Sequence, residues 1–136
     1  MREPIYSQYL ADFAYSPSRI SFVHARLATV GDKSLANNQP FNLEYVIGMH
    51  NGSVSGLTDG KESDSRYIIR TLDRHFSSHT LSAASLEQIL ITHVVLPSSD
   101  YGALNLIVYL KKSNLLFVVC SYNEAKLHSP EHASYY

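Results

Sequence analysis

The sequence has one cysteine, Cys120, so no intrachain disulfide can form, and nothing in it points to an oxidising compartment. It has no tryptophan, and no apolar run approaches the roughly 18 residues that a membrane-spanning helix needs. The first ten residues, MREPIYSQYL, lack the apolar centre of a secretory leader. Neither charge sign is in excess: 11 Lys+Arg stand against 12 Asp+Glu, a formal net charge of −1, which removes the electrostatic case for a nucleic-acid binder. Repeats, low-complexity runs and linkers are absent too. What remains is 136 residues, 45% hydrophobic and 17% charged, which is the composition of one folded domain over residues 1–136. A cytoplasmic protein without membrane or nucleic-acid partners is the expectation.

Pattern divides the chain as follows. Pro4 to Ala14 reads as a short helix, with Ile5, Tyr9, Leu10 and Phe13 on one side. Ile20 to Val23 reads as a buried strand leading into His24, and Ala28 to Pro40 as a loop. Leu43 to Met49 reads as a strand closed by a tight turn at His50-Asn51-Gly52. Ser63 or Asp64 is positioned to cap a helix carrying Ile68, Leu72, His75 and Phe76 at helical spacing. A second helix is expected over Ser82 to Val95, with Leu86, Ile89, Leu90, His93 and Val94 as its apolar stripe and Pro97 ending it. Ala103 to Leu110 and Leu115 to Ser121 read as strands of a hairpin around Lys111-Lys112-Ser113-Asn114. Ala133 to Tyr136 begins a last strand. Strands, a helix pair and a hairpin together give an α+β layered domain.

Polar chemistry gathers at strand ends and a helix start, where side chains converge while the scaffold stays rigid. Arg26 offers a planar fork for a carboxylate. Asp64 offers a counter-charge for an ammonium. Asn51 and the Gly52 N–H offer neutral donors for an oxyanion. Together they describe a site for an α-amino acid with a reactive carbonyl further along. Plainer readings stand beside these. Arg26 suits a structural ion pair, Asn51-Gly52 a hairpin turn, and Asp64 a helix cap. Asn51-Gly52-Ser53 also has the form of a glycosylation triplet, discounted without a leader. His75 and His79 stand at i, i+4 beside Asp73 but find no third partner, so no metal is expected. His24 and His50 read as structural, Lys111-Lys112 as a solvated tip, and Cys120, within an apolar run, as buried.

The segments His24-Ala25-Arg26-Leu27-Ala28-Thr29-Val30-Gly31, Asn37-Asn38-Gln39-Pro40-Phe41, Met49-His50-Asn51-Gly52 and Glu62-Ser63-Asp64-Ser65 occur in that order. With Gly102-Ala103-Leu104-Asn105 and the terminal HSPEHASYY, they resemble the class II glutamine amidotransferases, which are N-terminal-nucleophile hydrolases. The resemblance is nearest to the stand-alone subgroup related to the fungal glutathione-degradation subunit and the ergothioneine-pathway amidohydrolase. It covers residues 15 to 136.

The resemblance implies a four-layer α-β-β-α sandwich, present here in part, and a glutamine amidotransferase type-2 domain. The implied chemistry is hydrolysis of a glutamine or γ-glutamyl amide to glutamate and ammonia, with no cofactor. By position it gives Arg26 to the substrate α-carboxylate, Thr29 to the same pocket, Asn51 and Gly52 to the oxyanion hole and Asp64 to the α-amino group. Gln39 and Arg66 depart from the family's usual His and Glu. The larger departure is the family's N-terminal cysteine, whose free amine acts as base. Arg2 follows Met1 here, and Ser7, Thr29 and Cys120 do not substitute, so the expectation is a chain shortened at the front and at the end, holding substrate without turnover. The alternative expectation is a non-catalytic subunit paired with a peptidase or amidotransferase partner. An incomplete sheet would also leave open edges prone to association.

Overall fold

A computed structural model describes residues 20–24, 34–77 and 82–122. The expected helix at Pro4 to Ala14, the last strand at Ala133 to Tyr136, and Arg26, Thr29 and His79 lie outside the described residues. The described part is mixed α/β, with a four-stranded antiparallel sheet in the order β1-β2-β3-β4. Its strands are β1 (Phe41–Asn42), β2 (Val46–Ser55), β3 (Asp100–Leu110) and β4 (Leu115–Tyr122). Two helices, α1 (Asp64–Phe76) and α2 (Ala83–Leu90), connect β2 to β3, and α2 continues into a π-helical turn at Ile91–Val95.

Alternation along the strands decides which side of the sheet the helices cover. In β3, Leu104, Leu106, Val108 and Leu110 are buried while their odd-numbered neighbours are not. Register carries this to β2 through Val46, Gly48 and His50, and to β4 through Phe117, Val119 and Ser121. These residues meet Ile68, Ile69, Leu72 and Phe76 of α1 and Leu86, Leu90 and Val94 of the second helical segment in one core. The other face, with Met49, Asn51, Asn105, Ile107, Val118 and Cys120, points away from both helices.

Two carboxylates hold α1 against β2. Asp64, in its first turn, accepts the Val54 N–H on Oδ2 at 3.0 Å. Asp73, in its third turn, accepts the Tyr45 and Val46 N–H groups on Oδ1 at 2.7 and 3.0 Å. Between these points the helix lies close to the strand: a Cβ on Gly48 would come within 2.6 Å of Ile69 Cδ1. Ile69 is fully buried, so a larger residue at this position requires its side chain to repack.

Ser63, rather than Asp64, is the cap of α1, its hydroxyl accepting the Arg66 N–H at 3.2 Å. A reciprocal Ser82–Ser85 capping box starts α2. The expected helix from Ser82 to Val95 exists but widens after Leu90. Its buried positions Leu86, Leu90 and Val94 are spaced by four throughout, and a wider last turn offsets the drift that spacing gives on a 3.6-residue helix. The hairpin turn at Lys111 to Asn114 is as expected, with Asn114 in the left-handed region at φ 56° and its Oδ1 accepting the Tyr109 hydroxyl at 2.8 Å.

Three expectations are corrected. His50-Asn51-Gly52 is not a turn: β2 runs through it, because β3 pairs with it from Val46↔Leu110 to Ser55↔Asp100. Ile20 to Val23 is not a buried strand: it pairs with no strand among the described residues, and Ile20 and Val23 are 55% and 48% exposed. Cys120 is exposed rather than buried. An apolar run in a strand sends alternate side chains to both faces, and among the described residues the helices cover only one face here.

Candidate functional site

The centre of β2 carries the polar residues singled out from sequence, and the strand's alternation separates them. His50 faces α1 and is 2% exposed. In the neutral tautomer with its proton on Nε2, the ring donates to the Ala103 carbonyl at 3.4 Å, and Nδ1 accepts the Ser65 hydroxyl at 3.0 Å. The Gln39 side-chain oxygen accepts the His50 backbone N–H at 2.6 Å, so Gln39 fixes this part of β2. Burial pushes the His50 pKa below its ordinary value of 6.5, and the charge of His24 adds to this. The Asp64 carboxylate and the Ala103 carbonyl oppose the shift without cancelling it. His50 is therefore a neutral, satisfied core residue, in keeping with its structural reading.

Asp64 lies on the same side, 6% exposed. Besides Val54, its carboxylate accepts the Ser65 N–H at 2.7 Å and approaches the Ser65 hydroxyl at 3.3 Å. Oδ2 thus joins the start of α1 to β2, and Oδ1 holds the first turn of α1 itself. Asn37, 3% exposed, supports the same corner by accepting the Ser63 N–H at 3.1 Å and donating to the Lys61 carbonyl at 3.3 Å. Arg66 turns outward, donating to the Ala36 carbonyl and pairing with Glu62 at 3.5 Å. Glu62 also holds Arg70 at 2.7 Å, so one carboxylate is shared by two guanidinium groups.

Gly52 sits between the two faces. Its φ is +154°, and a Cβ there would lie 2.0 Å from the Ala103 oxygen and 2.8 Å from His50 Nε2. Backbone cannot move aside as a side chain can, so the close approach of β2 to β3 depends on this glycine.

Asn51 points to the uncovered face and is exposed. It stands in register with Asn105 of β3, which in turn stands opposite Cys120 of β4. The row Asn51–Asn105–Cys120 lines a cavity of about 310 Å³, completed by His24 and by apolar walls that include Met49 and Val118. The Asn105 Oδ1 is buried there without a hydrogen-bond partner among the described residues, at a usual cost of about 1–3 kcal/mol. The sequence contains the signal for Asn105, a lone amide inside the apolar run Leu104 to Leu110, but pattern alone does not show that it lies beside Asn51.

Among the five residues singled out, Asn51 and Gly52 are adjacent at the centre of the sheet, and Asp64 lies on the opposite side from the Asn51 side chain. Arg26 and Thr29 lie outside the described residues. The described residues contain no group of three or more His, Cys, Asp or Glu able to hold a metal ion. The His75 and His93 rings lie 4.4 Å apart between centroids, tilted by 37°. No helix among the described residues is long and apolar enough to cross a membrane. The chain matches no family model, no curated protein and no solved structure.

Proposed function

We propose that the chain binds the side-chain amide of glutamine or of a γ-glutamyl compound in the cavity on the uncovered face of the sheet. In this reading the four-stranded sheet, with its helices on one side, is one half of an α-β-β-α sandwich of the class II glutamine amidotransferase type. The Asn51 side-chain amide and the Gly52 N–H are the donors to the substrate carbonyl. Arg26 and Thr29 hold the α-carboxylate end. Asp64, which the resemblance gives to the α-amino group, lies on the helix side of the sheet and does not line this cavity.

The supporting observation is the placement of Asn51. An amide in mid-strand, next to a position whose backbone contacts admit only glycine, opens onto a cavity of about 310 Å³ with a second amide, Asn105, at its side. Asn is disfavoured in strand interiors, and departures from local preference concentrate at functional sites. A donor aimed at a developing oxyanion contributes about 3 kcal/mol in enzymes that hydrolyse amides. The chemistry the family resemblance implies for such a donor pair is amide hydrolysis to glutamate and ammonia.

Calorimetric titration with glutamine tests the reading. The wild-type chain is expected to give saturable heat, and Asn51→Ala and Arg26→Ala to weaken binding about tenfold or more. Absence of heat with the wild type, or unchanged affinity in both variants, would overturn it. Ammonia release measured on the same samples separates binding from turnover.

A further inference from the structure

The edge of β2 that faces away from β3 carries a row of backbone N–H groups. In an antiparallel strand the N–H and C=O of one residue lie on one edge, and those of the next residue on the other. Odd-numbered residues here turn to β3: at the two ends of the pairing, the Tyr45 and Ser55 carbonyls accept the Lys111 and Ser99 N–H groups at 2.9 and 3.0 Å. Even-numbered residues turn the other way. The Val46 carbonyl accepts the Leu43 N–H at 2.9 Å, and Gly48 pairs with Phe41 of β1. β1 reaches no further along β2 than Gly48, so the N–H groups of His50, Gly52 and Val54 meet no strand among the described residues.

Two side chains stand where a pairing strand would supply acceptors. The Gln39 Oε1 accepts the His50 N–H at 2.6 Å, and the Asp64 Oδ2 accepts the Val54 N–H at 3.0 Å. The Gly52 N–H falls between them, roughly 6.5 Å of strand from each. It has no partner among the described residues. Gly52 is exposed and has no side chain to shield that hydrogen. The edge is therefore satisfied at both ends and open at its centre.

We propose that Gln39 and Asp64 are positioning residues for the Gly52 N–H, and that the carbonyl oxygen of the ligand is the middle acceptor of this row. The inference rests on the carboxamide reading above. It gives Asp64 a different task from the one the resemblance implies, because its carboxylate is turned to the strand and the first turn of α1. Fixing the peptide groups on both sides of Gly52 keeps its N–H aimed outward, with no reorganisation when the oxygen arrives. That is the condition for a preorganised donor. Asn51 is the residue before it, so the oxygen meets donors from adjacent residues.

Gln39 separates this role from structural support better than Asp64 does. Asp64 also accepts the Ser65 N–H, so its variants disturb the start of α1 as well. Gln39 lies in the loop before β1 and belongs neither to the cavity wall nor to the hydrophobic core. Removing its side-chain oxygen frees the His50 N–H and loosens the peptide row on one side of Gly52 without touching the ligand.

Hydrogen exchange and glutamine titration of the full chain, read amide by amide in NMR, test this. In the free wild type the Gly52 N–H is expected to exchange on the order of a hundredfold faster than those of His50 and Val54. Saturating glutamine should slow that exchange and move the Gly52 proton signal downfield. Gln39→Ala is expected to weaken glutamine binding about tenfold, and Gln39→Glu, which keeps an acceptor oxygen, by less than about threefold. Circular dichroism and melting establish that each variant is folded at the titration temperature, where a purely structural role would leave affinity unchanged. A Gly52 N–H as protected as its two neighbours in the free chain overturns the proposal. So does glutamine binding that leaves the Gly52 signal in place or that Gln39→Ala does not weaken. If Asn51→Ala still weakens binding in that case, the carboxamide reading stands without this inference. A wild type that binds no glutamine overturns both.

Discussion

Replacing Asp64 by alanine tests whether its carboxylate holds the helix to the sheet as the geometry indicates. The change removes the acceptor of two backbone N–H groups, Val54 at 3.0 Å and Ser65 at 2.7 Å. At 6% exposure the site admits little water to replace it. Hydrogen bonds to charged acceptors contribute about 1.5–3 kcal/mol each, and two bonds sharing one group are less than additive. The expected loss is about 3 kcal/mol, a large part of the roughly 5–15 kcal/mol that holds a domain together.

Asp64→Asn keeps one acceptor but turns its NH₂ toward the other backbone donor, so an intermediate loss of about 1.5 kcal/mol is expected. Urea unfolding reads both values. With an m-value of about 1.5 kcal/mol/M, the midpoint should fall by about 2 M for alanine and about 1 M for asparagine, with the slope unchanged. A loss under about 0.5 kcal/mol in Asp64→Ala would refute the reasoning, since no buried bond would then depend on the carboxylate. Stability retained in Asp64→Asn with glutamine binding abolished would instead give Asp64 a role in ligand contact alone.

Three further outcomes follow from the same geometry. Gly52→Ala places a methyl 2.0 Å from the Ala103 oxygen and should destabilise by about 3 kcal/mol or prevent folding, read by circular dichroism and thermal melting. His50 has a folded-state pKa below its ordinary 6.5, so the unfolded chain takes up its proton first as pH falls. Its contribution is complete above 6.5 and declines below that until the folded-state value is reached; unfolding midpoints from about pH 7.5 to about pH 5 should show a steeper decline in the wild type than in His50→Gln. Cys120 is exposed, so a thiol reagent should modify it in the folded chain as fast as in denaturant to within about tenfold, and protection far beyond that would contradict its placement.

How much of this was legible in the sequence depended on whether a signal was local. Ser63 and Ser82 announce helix starts, and Ile68, Leu72 and Phe76 recur at helical spacing, so both helices could be read within a few residues. The β3–β4 hairpin was readable from two apolar runs around a polar turn. β2 was cut short because Asn51-Gly52 carries the composition of a turn. Its continuation is decided by pairing with residues some fifty positions away, which no local window contains. The same limit explains Cys120, whose apolar neighbours suggest a core while its exposure depends on which face of an edge strand is covered. Site residue types were readable from chemistry, but their sides were not. Once β2 is a strand through Gly52, alternation alone puts Asn51 on one face and His50, with Ser65 and Asp64, on the other.

The central claim is that the Asn51–Gly52 corner receives the carboxamide of glutamine on the uncovered face of the sheet. Amide-resolved NMR titration reads it directly, because the Asn51 side-chain NH₂, the Gly52 N–H and the neighbouring Asn105 NH₂ each give their own signal. Saturable shifts of these three on adding glutamine, absent on adding an amino acid of similar size without a side-chain amide, are the expected result. If these signals stay in place while glutamine is raised through the millimolar range, or move equally with both ligands, the assignment of this corner to carboxamide binding is contradicted.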